Sequence, residues 1–199
     1  MKLESRTREK IMTTIQIKVP NWLDRICAWP VMLCRLWRYG YSYRRIYLSE
    51  GKWTIVDAGD YYWLNSYKWI VYGNRNNFYA VRNSIVAPNE TRPVYMHRLI
   101  MNPPPGLLVD HRNCDSLDNR RSNLRHATPS QNMQNRRKKK NTTSKYRGVW
   151  FYNGKYESQI SYRGKKMWVG IFDSEIDAAH AYDEAAKKYH GEFARLNFP

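Results

Sequence analysis

The organisation of the chain follows from residues 107–135, which read LLVDHRNCDSLDNRRSNLRHATPSQNMQN. Leu107, Leu108 and Val109 form a short apolar run, and this run predicts a buried strand. The strand ends in two titratable side chains, Asp110 and His111. Because a stretch rich in turn-forming residues comes next, the chain should reverse there. The first half of the stretch therefore predicts a strand end that carries an Asp-His pair.

The second half of the stretch contains the signals of a helix start. Thr128 can cap the helix, Pro129 suits the first helical position, and Gln131 can complete a capping box. In that helix Asn132 and Asn135 are three residues apart and share one face. We therefore expect the Asp-His strand end to meet a helix face with two asparagine side chains.

Three motifs in this stretch, taken in order, resemble the HNH endonuclease family. They are Asp110-His111, the segment Asp-Asn-Arg-Arg-Ser-Asn-Leu-Arg at 118–125, and Asn132, at a position where many members have His and others Asn. The resemblance implies a ββα-metal unit, which is a hairpin followed by a helix around one divalent ion. It also implies an endonuclease that hydrolyses phosphodiester bonds of DNA.

The residue types suit phosphodiester hydrolysis. His111 is the predicted general base, because a neutral imidazole near pH 7 can take a proton from the attacking water. Asp110 and Asn132 are the predicted metal ligands, because they supply the oxygen atoms that a hard cation prefers. Mg²⁺ is the expected ion, or another divalent cation such as Mn²⁺. Two protein ligands leave room for water and the scissile phosphate.

Further polar residues near these motifs have less definite roles. The resemblance implies that Asn123 orients His111 by a hydrogen bond. Asn119 is expected to build the turn between the strands. Asn135 is a reserve ligand, a polar residue of the helix surface or a phosphate contact. His97, in the upstream sequence Met-His-Arg-Leu, either touches the site or has a structural or phosphate-contacting role.

The charge of the chain indicates a polyanionic partner. The formal net charge is +17, and the excess of Lys and Arg lies in residues 1–46 and 97–145. The basic run of Arg136, Arg137 and Lys138, continued by two lysines, would bind any nucleic-acid backbone. It would also suit a helix end and a flexible tether. No apolar run approaches the roughly 20 residues that span a bilayer, so no membrane partner is expected.

The first hundred residues carry fewer signals. Residues 1–46 predict a basic, aromatic segment with a helix that begins at Trp22, is capped by Asn21, and breaks or restarts at Pro30. Residues 38–45 interleave Arg with Tyr, which can bind nucleic acid or fill a small core. Residues 47–101 predict a small β-rich domain with a turn at 73–77 and a short helix at 60–67.

Residues 145–199 predict a second functional unit. Strands are expected at 146–152, 155–162 and 167–172, and the turn Asn153-Gly154 is typical of a hairpin. A helix capped by Asp173 or Ser174 should run to about Tyr189 and pack its alanines on the sheet. Because basic residues lie on the sheet and acidic residues on the helix, the sheet is expected to face DNA.

This unit resembles the Apetala/ethylene-response-factor DNA-binding domain. The matching motifs are Tyr-Arg-Gly-Val at 146–149, Trp-Val-Gly-Ile-Phe at 168–172 and the closing Leu-Asn-Phe-Pro. The resemblance implies a sheet in the major groove, with Arg147 and Trp168 at DNA-contact positions and Lys166 in place of a contacting Arg. Core packing is the alternative for Trp168. Trp150 and Tyr152 stand where plant members carry base-reading Arg, and we expect them to bind DNA as well. Because they are not arginines, the target sequence does not carry over.

Together these patterns predict an α+β chain of several small parts. They are an N-terminal helical or β segment (1–46), a β-rich domain (47–101), the HNH ββα-metal unit (102–137), a basic linker (138–144) and a C-terminal three-stranded antiparallel sheet with one helix (145–199).

The predicted function is a metal-dependent, homing-type endonuclease acting on double-stranded DNA, with no obligate protein partner. Its expected setting is the interior of a bacterial or phage-infected cell, as for mobile elements. One alternative is a non-catalytic DNA-binding regulator with a relic HNH fold. The other is a structural or RNA-packaging protein that uses charge alone.

Overall fold

The computed structural model describes residues 20–74, 77–88, 90–138 and 142–199. Part of the predicted N-terminal segment (1–19), part of the predicted turn (75–76) and part of the predicted linker (139–141) lie outside the described residues, as does residue 89. The chain divides into two compact units, one ending at Tyr41 and the other comprising Ser42–Pro199. Helices and strands are both abundant, so the predicted mixture of α and β structure is confirmed. The finer domain boundaries stay predictions.

In its described part, the first unit consists of one helix, α1 (Asn21–Tyr39). The N-cap is Pro20 and there is no side-chain cap bond, so the predicted cap by Asn21 is wrong. The predicted break at Pro30 is also wrong, because the helix runs through this residue. A proline removes one backbone hydrogen bond, and the intact bonds on either side can maintain the helix. None of the described helices, α1 included, is long and apolar enough to cross a membrane.

The second unit begins with a hairpin and a three-stranded sheet. Its first elements are β1 (Arg44–Tyr47), β2 (Trp53–Val56), α2 (Ala58–Asn65), β3 (Ile70–Asn74), β4 (Asn77–Ala87), β5 (Glu90–Tyr95) and α3 (Met96–Met101). β1 pairs with β2, and β4 lies between β3 and β5, all antiparallel. Apolar side chains from these elements, among them Val56, Leu64 and Met96, form a buried core.

The next three elements are β6 (Leu108–His111), β7 (Leu124–Ala127) and α4 (Pro129–Gln134). β6 and β7 pair antiparallel, with Asp110 opposite Arg125. The predicted capping box is confirmed, since the Thr128 hydroxyl accepts from the Gln131 N–H and the Gln131 side chain accepts from the Thr128 N–H. Apolar residues of β6 and β7 belong to the same buried core as the preceding sheet, so this core supports the hairpin.

The C-terminal elements are β8 (Val149–Tyr152), β9 (Lys155–Tyr162), β10 (Lys165–Phe172), α5 (Glu175–His190) and a 3-10 turn (Gly191–Phe193). The strands form an antiparallel sheet in the order β10-β9-β8. Ser174 caps α5 by accepting from two backbone N–H groups. Ala178, Ala179 and Ala186 of α5 are fully buried, because small side chains let the helix approach the sheet closely.

Gly148 allows the close approach of the chain before β8 to α5. Its φ is +73°, and a Cβ at this position would lie 2.0 Å from Cδ2 of Tyr182. Any other residue would therefore meet both backbone strain and a steric clash. The glycine fixes the course of the chain beside Arg147, whose contacts are described below.

Candidate functional site

β6, β7 and α4 bring the predicted Asp-His pair and the predicted asparagines to one place. Asp110 and His111 end β6, and both are buried. A cavity of about 600 Å³ lies beside them and is lined also by Asn132 and Asn135. Hairpin and helix thus have the arrangement of a ββα unit, with polar side chains from each part around one cavity.

A chain of hydrogen bonds fixes the His111 ring. Nε2 of His111 lies 3.3 Å from Oδ1 of Asn119. Nδ2 of Asn119 donates to Thr54 Oγ1 at 2.8 Å, and the Thr54 hydroxyl donates to the Leu117 carbonyl oxygen at 2.6 Å. Because the hydroxyl proton is committed to Leu117, the Asn119 amide nitrogen faces Thr54 and its oxygen faces His111. Nε2 then carries the ring proton, and Nδ1 keeps a lone pair.

Asn123 stabilises the connection between the strands, and its described hydrogen bonds do not reach the His111 ring. Its Oδ1 accepts from the Asn113 N–H at 3.0 Å, and its Nδ2 donates to the Asp118 carbonyl oxygen at 2.8 Å. The side-chain hydrogen bond expected between Asn123 and His111 is therefore made by Asn119 instead. The sequence placed the two asparagines in one motif and held no signal for Thr54, which comes from β2.

Asp110 is held by two residues. Nε and Nη2 of Arg125 each lie 2.8 Å from its Oδ2. Nδ2 of Asn135 lies 3.0 Å from each carboxylate oxygen and 2.8 Å from the His111 carbonyl oxygen. Since Asn135 presents its amide nitrogen to these acceptors, it orients Asp110 and does not offer an oxygen to the same position.

The donor set fits a hard divalent cation with few protein ligands. Asp110 and Asn132 line the same cavity and both carry oxygen donors. Oδ1 of Asp110 accepts from Asn135 and retains lone-pair capacity. Among the described residues, no group of three or more His, Cys, Asp or Glu could hold a metal ion. Asp110 and Asn132 could hold Mg²⁺ or Mn²⁺ if water and phosphate supplied the other ligands, which is the usual situation for Mg²⁺.

Burial favours the neutral form of both histidines at the site. It lowers the pKa of His111, and the hydrogen bond with Asn119 only partly opposes this effect. It also lowers the pKa of His97 from 6.5 to about 3. The centroids of the two rings are 5.1 Å apart, and Tyr79 packs against both. His97 therefore belongs to the wall of the site. The sequence alone did not decide between this position and a purely structural role.

The sheet of the C-terminal unit presents an aromatic face on the side opposite α5. The exposed fractions are 39% for Trp150, 63% for Tyr152 and 55% for Trp168. Lys166 is exposed on the same face, directly opposite Ser161 in the register. With more than half of its surface in solvent, Trp168 is not a core residue. Four predicted DNA-binding side chains thus share one accessible surface.

Arg147 is placed differently from these four residues. Its Nε donates to the Tyr182 hydroxyl at 2.8 Å, its Nη2 donates to the Gln134 carbonyl oxygen at 2.9 Å, and its Nη1 donates to the Arg136 carbonyl oxygen. Gln134 is the last residue of α4, so the guanidinium satisfies carbonyl groups at that helix end. The side chain is directed at the end of α4, and away from the aromatic face of the sheet.

The predicted basic run lies beside the cavity of the Asp-His pair and beside a second cavity. Arg136 and Arg137 line the cavity of the Asp-His pair. Arg137 and Lys138 also line a second cavity of about 480 Å³, together with Lys145 and Arg195. This run therefore joins the candidate active site to the surface of the C-terminal unit, along a path that suits a phosphate backbone.

A hairpin and helix with a buried Asp-His pair, next to a sheet with an exposed aromatic face, define a two-part architecture. Residues 94–134 match the model of a family described as HNH endonuclease. The C-terminal part is similar to plant proteins with Apetala2/ethylene-response-factor domains. The predicted combination of these two parts is therefore confirmed.

Two plant relatives show the extent of this similarity. Dehydration-responsive element-binding protein 2A of Oryza sativa subsp. indica is 44% identical over 64 residues, covering 29% of this chain and 22% of that protein. The AP2-like ethylene-responsive transcription factor TOE2 of Arabidopsis thaliana is 45% identical over 73 residues, covering 35% of this chain and 15% of that protein. The chain thus spans less than a quarter of the length of either relative.

Proposed function

We propose that this chain is a divalent-metal-dependent DNA endonuclease of the homing type. The ββα unit would hydrolyse a phosphodiester bond of double-stranded DNA, and the C-terminal unit would bind the target. The observation that carries the proposal is the buried Asp110-His111 pair beside a cavity of about 600 Å³ that Asn132 also lines. The matches to HNH endonucleases and to a dehydration-responsive element-binding protein support the two halves of the proposal.

The chemical step would use His111 as the general base. Its lowered pKa keeps the ring neutral at pH 7, and the Asn119–Thr54 chain leaves Nδ1 free to accept a proton from water. Arg125 and Asn135 fix the Asp110 carboxylate. A divalent cation bound by Asp110 and Asn132 would neutralise charge on the phosphate and the leaving oxygen. The expected products carry a 5′-phosphate and a 3′-hydroxyl.

Target binding would combine two surfaces. The exposed face with Trp150, Tyr152, Lys166 and Trp168 would enter a DNA groove, where aromatic and basic side chains can contact bases and phosphates. The run 136–138 would bind the backbone between that surface and the active site. The net charge of +17 supports strong, salt-dependent association with nucleic acid. An origin in a bacterial or phage mobile element belongs to this proposal.

The experiment that tests the proposal uses supercoiled plasmid carrying a segment that flanks the protein's own gene. Wild-type protein should nick or linearise it with Mg²⁺ or Mn²⁺ and leave it intact in EDTA. His111→Ala should lower the rate by about 100- to 10,000-fold, the usual contribution of a general base. The matched control is His126→Ala, because His126 is exposed on β7 and bonds only a backbone oxygen among its described contacts.

Two results would contradict the nuclease function. One is a gel shift of the plasmid by wild type and His111→Ala alike, without cleavage of any flanking segment. This result would favour the non-catalytic DNA-binding regulator. The other is equal cleavage by the two proteins, which would indicate that His111 is not the base.

A further inference from the structure

The nuclease unit and the C-terminal unit meet at a contact that we call the seam, formed by residues 110–136 on one side and 147–193 on the other. Arg125 of β7 lies at its centre. Besides its two contacts to Asp110, it donates from Nη1 to the Glu192 carbonyl oxygen at 2.5 Å. The Phe193 ring centroid lies 3.8 Å from its Cζ. One guanidinium therefore joins the predicted metal ligand to the 3-10 turn of the C-terminal unit.

The stacking on Phe193 determines how Arg125 can serve Asp110. A guanidinium is planar, and its five N–H donors point in fixed directions within that plane. Phe193 covers one face of the plane, and the Glu192 carbonyl oxygen occupies one donor. Nε and Nη2 are thereby directed at Asp110. Arg125 and Phe193 are both buried, so water does not compete strongly at this contact.

Arg147 makes the reciprocal contact from the C-terminal unit. Its side chain bonds the carbonyl oxygens of Gln134 and Arg136 at the end of α4, as described above. Its main chain is fixed on the other side, because the Arg147 N–H donates to Asn197 Oδ1 at 2.7 Å and its carbonyl oxygen accepts from Asn197 Nδ2 at 3.2 Å. α4 carries Asn132, and Asn135 directly follows it. A contact that fixes the end of α4 therefore also positions these two residues.

We infer that the C-terminal unit is a structural part of the nuclease site, with Phe193 and Arg147 as its positioning residues. Phe193 orients Arg125 and through it Asp110, and Arg147 orients α4 and through it Asn132 and Asn135. The inference rests on the proposed nuclease function. It also assigns Arg147 a task other than the DNA contact that the family resemblance implies. Loss of either seam contact should slow cleavage without weakening DNA binding.

The first test replaces Phe193 with residues that keep or remove the ring. Phe193→Leu keeps most of the apolar volume and removes the stacking, whereas Phe193→Tyr keeps the ring. Single-turnover cleavage at saturating protein should fall by about 10- to 100-fold in the Leu variant, as is usual when a supporting partner of a metal ligand is lost. The Tyr variant should recover the rate. The Kd for the same DNA, measured in EDTA, should stay within about twofold of wild type.

The matched control is Phe198→Leu. Phe198 stacks on His180 inside the C-terminal unit, with ring centroids 4.4 Å apart, and its described ring contacts do not involve the nuclease unit. It should cleave at the wild-type rate. A Phe193→Leu variant that cleaves as fast as Phe198→Leu would overturn the inference, as would a loss of DNA affinity that accounts for the whole fall in rate.

Arg147→Lys separates the positioning role from a DNA contact. Lysine keeps the charge that a phosphate contact needs, but its single ammonium cannot reach three acceptors in the fixed geometry of a guanidinium. If Arg147 acts at the seam, Arg147→Lys should cleave more slowly at saturating protein, and the salt dependence of its Kd should be unchanged. A DNA-contact role predicts a near-normal rate for Arg147→Lys and weaker binding for Arg147→Gln, and that result would overturn the assignment.

Amide hydrogen exchange of the full chain tests the seam without any cleavage. Phe193→Leu should raise exchange in residues 108–111 and Arg147→Lys in residues 129–135, while Phe198→Leu should leave both segments as in wild type. If wild type cuts no DNA, the proposed function fails, and the exchange pattern still tests the seam. Unchanged exchange in both segments would overturn the inference even in an active nuclease.

Discussion

The hairpin of β6 and β7 and the C-terminal sheet differ in what they bury. The hairpin buries charged and polar side chains, including Asp110, His111 and Arg125, and each has a defined partner. The sheet buries apolar residues against the alanines of α5 and exposes Trp150 and Trp168. A buried polar network fails when one member is lost, because its partners are left unsatisfied. An exposed side chain leaves no buried partner unsatisfied when it is removed, so its loss should cost less.

The largest expected effect of this difference is on stability. Asp110→Asn should lower the free energy of unfolding by about 3 kcal/mol, because it removes the buried carboxylate 2.8 Å from Arg125. The other carboxylate near Arg125, that of Glu192, is exposed and lies 3.8 Å away. The same change at Asp173, whose ion pair with Lys155 is exposed, should cost at most about 1 kcal/mol. Urea unfolding followed by tryptophan fluorescence measures both. Equal losses would show that the buried network contributes no more than a surface pair.

A second prediction concerns Thr54, the remote end of the chain of hydrogen bonds behind His111. Thr54→Val keeps the shape of a fully buried side chain and removes the hydroxyl that Asn119 needs. Cleavage at saturating DNA should slow by about 10- to 100-fold, as for other supporting partners, with Kd unchanged. Thr54→Ser restores the hydroxyl and should recover most of the rate. A fully active Thr54→Val would show that the tautomer of His111 does not depend on this chain.

A third prediction uses pH. The folded chain holds the pKa of His97 at about 3, below its usual 6.5. The contribution of the neutral ring to the free energy of unfolding is therefore fully present above pH 6.5. This contribution is lost as pH falls from 6.5 towards 3, because the unfolded chain takes up the proton first. His97→Gln should therefore reduce the slope of unfolding free energy against pH by up to about 1.4 kcal/mol per pH unit. If wild type and His97→Gln show the same slope of unfolding free energy between pH 6 and 4, this account is contradicted.

The two regions also differ in how far the sequence predicts them. The capping box at Thr128, the end of β6 at Asp110-His111 and the cap of α5 by Ser174 are local signals, and the structure has all three. The partner of the His111 ring was not predicted, because Asn119 is aligned by Thr54, which is 65 residues away in the chain. Contacts between distant segments depend on packing, which a single sequence does not show.

Arg147 illustrates a different limit of sequence analysis. Its motif implied a DNA contact, because the resemblance was to domains considered by themselves. In this chain α4 lies within reach, and the carbonyl groups at its end accept hydrogen bonds from the guanidinium. The same motif can therefore have another use when a neighbouring unit offers better acceptors.

The break predicted in α1 at Pro30 is wrong for a local reason. One proline removes only one backbone hydrogen bond, and the helix continues through it.

The fourth prediction concerns the aromatic face of the sheet, where smaller effects are expected. Trp168→Ala should raise the Kd for a cognate DNA by about fivefold, or about 1 kcal/mol, because an exposed ring contributes area and stacking without a buried network. Ile176→Ala is the control, since Ile176 is also exposed but lies on α5. Anisotropy titrations in EDTA measure both. A loss of 3 kcal/mol or more would make Trp168 a hot spot and weaken the contrast between the two regions.

The smallest expected effect is that of Lys166→Gln, and it is best seen in salt dependence. Lys166 is exposed on the same face as Trp168, so its ammonium can reach a phosphate and release a counterion on binding. The slope of log K against log salt should fall by about 1, with only a few-fold loss of affinity at moderate salt. Trp168→Ala should leave that slope unchanged, because it removes no charge. If Lys166→Gln leaves the slope unchanged, Lys166 does not contact a phosphate. The basic run at 136–138 must then supply the electrostatic part of binding.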